Sequence, residues 1–114
     1  MDIRIQPKLL SGTVTPPASK SMAHRAVLAM ALAGGTGTLS NLSDSQDIKA
    51  TKRCVEALKA PRPDGELPFL DCGESGSTLR FLIPIALAVA GGGTFTGHGR
   101  LMERPQQPRL PCRR

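Results

Sequence analysis

Tryptophan and tyrosine are absent from this 114-residue sequence, and Phe69, Phe81 and Phe95 are its only large aromatic plates. A core must therefore come from Leu, Ile, Val, Ala and Met. So thin an aromatic content also argues against a single-stranded nucleic-acid binder, which stacks bases on exposed rings. Cysteine is scarce and odd in number. Cys54, Cys72 and Cys112 form no CxxC pair and no Cys/His cluster, so neither a disulfide framework nor a zinc site is expected, and a reducing cytosol is the simplest compartment. Long apolar runs are missing as well: the most apolar stretch, Phe81–Ala90, is too short to span a bilayer. Met1-Asp2-Ile3-Arg4 lacks the basic-then-apolar layout of a secretory leader. The expectation is a soluble, cytoplasmic protein.

The length suits one small domain. Its 12 Gly and 10 Pro fall short of low-complexity composition and sit at the ends of apolar segments, where they serve as turns. Lys and Arg number 15 against 9 Asp and Glu, a net charge of +6 that calls for an anionic partner. Part of that excess is local, at Arg109, Arg113 and Arg114.

The periodicities alternate between strand and helix, which predicts an α/β chain. Ile3 and Ile5 alternate with polar residues as a short strand before Pro7, and Ser11–Thr15 reads as a second. A helix is predicted from Ser19 or Ser21 to about Ala33, with Met22, Ala26, Met30 and Ala33 as its apolar stripe. Thr36–Leu42 alternates like a strand. The next helix is expected to begin near Ser43 or Asp44, where Ser43 and Gln46 have capping-box spacing. Its buried stripe is Ile48, Thr51, Val55 and Leu58. After a loop at Ala60–Glu66 come a strand at Leu67–Cys72, a small-residue turn, and a helix over Ser77–Ala90. That helix is apolar almost all round, which predicts burial on every side, and Pro84 is expected to kink it. Thr94–Gly97 is a last strand. Ser19-Lys20-Ser21, helix, Gly34-Gly35-Thr36 is echoed by Ser75-Gly76-Ser77, helix, Gly92-Gly93-Thr94, which suggests a repeated unit and a larger whole.

Three clusters could carry chemistry. In Ser19–Arg25 the free N–H groups of a helix start favour an anion. Ser21 and Arg25 lie one turn apart on one face and Lys20 sits at the mouth, so hydroxyl, ammonium and guanidinium could converge on a phosphate or carboxylate. An N-cap serine followed by solvated charges is the equally open alternative. His24 could titrate near neutrality, although a lone helix histidine is more often packing or surface. In Gly73–Arg80 small residues before a helix would let backbone N–H groups approach a ligand, but the lysine of a P-loop is missing and an ordinary turn is the commoner reading. In the loop from Gly99 to Pro105, Arg104 either pairs with Glu103 or is aimed at an anion. For Asp44, Asp47 and Asp71, cap and strand-end roles are expected rather than a pair of acids.

Together the segments PPASKSMAHRAVLAMALAGGTGTLSNLSDSQD (Pro16–Asp47), DCGESGSTLRFLIPIALA (Asp71–Ala88) and GGTFTGHGRLMERPQQP (Gly92–Pro108) resemble the 5-enolpyruvylshikimate-3-phosphate synthases. The resemblance implies transfer of the enolpyruvyl group of phosphoenolpyruvate to the 5-hydroxyl of shikimate 3-phosphate, without metal or organic cofactor. The hydroxyl adds to C2, C3 takes a proton, and the tetrahedral adduct expels phosphate. By the same resemblance Lys20 is the catalytic residue and touches both substrates. Ser21 and Arg25 hold shikimate 3-phosphate, and Gly76 and Arg104 bind phosphoenolpyruvate. Glu74 stands where many members carry Asn, and is expected to point away from the pocket or bond backbone.

The family's architecture implies βαβαββ-type units in an inside-out α/β barrel, incomplete here. Residues 1–17 would be strands that pack with the other domain, 18–108 a partial domain, and 109–114 an atypical tail that reads as a truncation or frame slip. The expectation is an N-terminal fragment that is inactive alone, from an enzyme that is monomeric and binds neither nucleic acid nor membrane. Two alternatives remain. One is the related transferase acting on a UDP-sugar, against which the Ser-Lys-Ser and Met-Glu-Arg-Pro segments argue. The other is a non-catalytic basic anion-binding module.

Overall fold

A computed structural model describes residues 1–35 and 37–105. Helix α1 spans Lys20–Leu32, α2 Gln46–Lys59 and α3 Gly76–Ala90; strand β1 is Phe69–Asp71 and β2 is Thr94–Thr96, followed by a 3-10 turn at Gly99–Leu101. Each helix starts in the same way. Ser19, Ser45 and Ser75 cap α1, α2 and α3, and each Oγ accepts from the amide three residues on, at 3.3, 3.3 and 3.1 Å. The C-terminus of α2 is closed differently, by Arg62, whose Nη1 donates to the carbonyls of Ala57, Leu58 and Ala60 at 3.0–3.1 Å.

β1, α3 and β2 form a βαβ crossover whose strands pair in parallel, with Leu70 opposite Phe95 and Asp71 opposite Thr96. The ladder runs on into the turns, since the Cys72 amide donates to Thr96 O at 2.8 Å and the His98 amide to Gly73 O at 2.9 Å. α2 packs against β1, α1 and α3 and so occupies the centre. The core gathers Val27, Leu28, Cys54, Val55, Leu70, Cys72, Leu82, Ala86 and Leu101.

Several expectations need correction. Residues 1–17 form no strand, and all of them are exposed. Their alternation satisfies strand periodicity, but no described strand lies beside them to pair with. Thr36–Leu42 is no strand either; Thr36 itself lies outside the described residues, and the others are irregular. α2 is capped by Ser45, because that hydroxyl, and not Ser43's, reaches a free first-turn amide. On α1 the buried residues are Ala23, His24, Val27 and Leu28, whereas Met22 is 59% exposed. The stripe is rotated by about one residue because a polar histidine sits in it. α3 is continuous through Pro84 and is buried on one face only, at Thr78, Leu82 and Ala86, while Ile83, Leu87 and Val89 face outward. The tail at 109–114, and Gln106–Pro108 before it, lie outside the described residues.

Candidate functional site

Contacts between side chains and backbone bring the first turns of α1, α2 and α3 together. Lys20, the first residue of α1, donates from Nζ to Asp47 Oδ2 at 2.7 Å, which ties α1 to the first turn of α2. Thr78 Oγ1, in the first turn of α3, lies 3.3 Å from Asp47 O and sets α3 against the same place. Below them His24 Nδ1 and Thr51 Oγ1 are 2.7 Å apart, Thr51 Oγ1 and Thr78 Oγ1 2.8 Å, and Thr78 Oγ1 and Ser75 Oγ 2.7 Å. Three helix starts, each with first-turn amides and a positive dipole end, therefore lie close together, and negative charge is favoured near them.

The turn ahead of α3 is fixed by its sequence. Asp71 Oδ1 accepts from the Gly73 amide at 2.9 Å, and Gly73 has φ +58, a conformation that side chains on other residues resist. Gly76 opens α3 with ordinary φ, and a Cβ placed on it would lie 3.2 Å from Arg104 Nη1 and 4.0 Å from Leu101 Cδ1. Arg104 is thus set against the start of α3, at the end of the turn that follows β2. Glu74 is turned the other way, with Oε1 3.8 Å from His98 Nδ1 and its carboxylate against Gly99.

The five residues marked in the sequence fall into two groups. Lys20, Gly76 and Arg104 sit at or beside the gathered helix starts, Lys20 through Asp47 and Arg104 through its approach to Gly76. Ser21 and Arg25 are exposed on α1, and neither side chain makes a hydrogen bond or ion pair with the described residues. Sequence reasoning missed Asp47 as the partner of Lys20, having assigned it a cap role only. It also missed Thr51 and Thr78 as a polar connection; a threonine inside an otherwise apolar helical stripe was the available signal.

Burial holds the His24 imidazole below its usual protonation range; Asp47 opposes that shift and Lys20 adds to it. Cys54 and Cys72 are fully buried, and the hydrogen bond that the Cys54 thiol donates toward Cys72, backed by desolvation, pushes the Cys54 thiol up and draws Cys72 down. Neither is placed for nucleophilic work. Among the described residues no three His, Cys, Asp or Glu side chains are grouped to hold a metal ion, and no helix is long and apolar enough to cross a membrane. An apolar groove lined by Leu28, Leu32, Leu58 and Val89 carries none of the candidate residues.

A family model described as EPSP synthase (3-phosphoshikimate 1-carboxyvinyltransferase) matches residues 5–111. The chain is 39% identical to the 3-phosphoshikimate 1-carboxyvinyltransferase of Clostridium novyi, over 91% of this chain and 29% of that protein. It is 40% identical to the enzyme of the same name from Clostridioides difficile, over 90% and 29%, and to that from Clostridium perfringens, over 89% and 27%. The chain thus spans under a third of the length of these relatives. No solved structure gives a significant match.

Proposed function

The chain belongs to the EPSP synthase family, and from that membership we propose that it supplies part of the anion-binding surface of an enolpyruvyl-transfer site. In this reading Lys20 and Arg104 neutralise the phosphate and carboxylate of phosphoenolpyruvate, with the Gly76 amide beside them. Ser21 and Arg25 take the phosphate of shikimate 3-phosphate on the exposed flank of α1. The observation that carries the reading is the gathering of three serine-capped helix starts beside one ammonium and one guanidinium. Cations and oriented amides of this kind lower a barrier by fixing reactants and by stabilising charge as phosphate leaves.

The reaction is transfer of the enolpyruvyl group to the 5-hydroxyl of shikimate 3-phosphate with release of phosphate, a step of aromatic amino-acid biosynthesis in the cytoplasm. In the whole enzyme, a monomer, the βαβ crossover and its capped helices would belong to repeated units of an inside-out α/β barrel, with residues 1–17 packed on the other domain. In this reading the chain binds the anions and does not turn them over alone, since it spans under a third of the length of its relatives.

Titration calorimetry with phosphoenolpyruvate, shikimate 3-phosphate, a UDP-amino sugar and heparin tests the proposal. Saturable binding of the first two, without enolpyruvyl transfer, is the expected result. Preference for heparin with steep salt dependence would instead show a general polyanion binder.

A further inference from the structure

Buried polar side chains need partners, and the four that the core holds, His24, Thr51, Ser75 and Thr78, are at most 2% exposed. They lie in one continuous path at 2.7, 2.8 and 2.7 Å, and the path has a direction. Thr78 has a single hydroxyl proton, and the acceptor that takes it is Ser75 Oγ at 2.7 Å rather than the Asp47 carbonyl at 3.3 Å. The Thr78 oxygen therefore receives the proton of Thr51. Thr51 then has only lone pairs to offer His24, so the imidazole presents an N–H at Nδ1. Its Nε2 is left with a bare lone pair, and that atom is buried with no partner, in a ring whose centroid lies 6.2 Å from that of Phe81. An orphaned acceptor is the less costly group to leave so, because orphaned N–H groups are the rarer of the two.

We propose that His24, neutral and protonated at Nδ1, heads a one-way hydrogen-bond relay through Thr51 and Thr78 to Ser75 that positions the three helix starts against one another. Lys20 stands four residues before His24 on α1, and Asp47 four before Thr51 on α2, so the relay runs directly beneath the Lys20–Asp47 pair. Its last member is the cap of α3, one residue ahead of Gly76. Hydrogen bonds weaken steeply with misalignment, whereas apolar contacts slide, so the relay fixes the spacing of the turns in a way packing alone does not. His24 is thus a positioning residue. This role rests on the anion-site reading only for its functional consequence; the relay itself stands apart from it.

The test has two arms. In the first, two-bond 15N–1H correlations on the 114-residue chain read the His24 tautomer directly. Protonation at Nδ1 is expected, and protonation at Nε2 would overturn the relay whatever the chain binds. The second arm compares Thr51→Val, which keeps the volume and removes the hydroxyl, with Thr51→Ser, which keeps the hydroxyl. Thr51→Val should shift the backbone amides of Lys20 and Gly76 and weaken phosphoenolpyruvate binding roughly tenfold, the loss expected when one charge-assisted hydrogen bond goes out of alignment. Thr51→Ser should restore both. Amide positions unchanged in Thr51→Val, or a loss in Thr51→Ser as large as in Thr51→Val, would refute the positioning role. If the unaltered chain binds no phosphoenolpyruvate, the anion reading falls while the tautomer and amide shifts still decide the relay.

Discussion

Replacing Gly76 with alanine separates the fold from the anion site. The new methyl group would stand 3.2 Å from Arg104 Nη1, a few tenths of an ångström inside comfortable contact. Arg104 is exposed and Nη1 is the far end of a flexible side chain, so the guanidinium yields and the backbone does not. Gly76 has no positive φ, and alanine at such a position stabilises a protein by about 0.4–1 kcal/mol through the unfolded chain. Folding stability measured by urea unfolding should therefore hold or rise slightly. The displaced guanidinium would lose alignment with any anion resting on the Gly76 amide. A charge-assisted hydrogen bond is worth about 1.5–3 kcal/mol, so phosphoenolpyruvate affinity should fall about tenfold or more. Shikimate 3-phosphate, assigned to Ser21 and Arg25, should bind as before. Calorimetric titration of the two ligands against the variant makes the comparison. Equal weakening of both, or a stability loss near 2 kcal/mol, would refute the reasoning, since either requires the helix start itself to move.

Lys20→Ala and Arg25→Ala are each expected to weaken phosphate-ligand binding by about 1.5–3 kcal/mol with little change in urea midpoint, because both side chains are exposed; ligand-induced NMR shifts that persist unchanged would exclude the assignment. Leu82→Ala should cost about 2–5 kcal/mol in urea unfolding, whereas Leu87→Ala on the outer face of the same helix should cost under about 1; similar losses would mean that α3 is buried all round. Stability should also decline as pH falls. His24 has a lowered folded-state pKa, so the unfolded chain, titrating near 6.5, takes up a proton that the folded chain refuses. The His24 contribution is complete above that value and is lost below it, and His24→Asn should flatten that part of the urea-midpoint profile.

The helices were legible because their signals are local. Ser19 and Ser75 stand before apolar periodicities, and both prove to be caps with identical three-residue reach. The turn before α3 was legible from Asp71, Gly73 and the small residues after them. What the sequence could not disclose depends on contacts between segments. Ser43 and Ser45 both precede the α2 stripe, and only the path of the chain decides which hydroxyl meets a free amide. Ile3, Ile5 and Val14 alternate as well as any strand, but strands exist only beside other strands, and none is described there. The stripe on α1 was read one residue out of phase because His24 looked polar; its polarity is spent on Thr51, twenty-seven residues away. The approach of Arg104 to Gly76 was likewise invisible in spacing, although both positions were marked separately as anion-seeking.

The two glycines that flank Glu74 and Ser75 have unlike futures under mutation. Gly73 adopts a backbone angle that few residues share, and its carbonyl oxygen would lie 2.6 Å from a Cβ at Gly97, so drift at either place damages the crossover. Gly76 is crowded chiefly by the tip of a solvent-facing side chain, with Leu101 Cδ1 farther off at 4.0 Å. On the anion-site reading proposed above, selection for altered ligand discrimination thus meets least structural resistance at position 76.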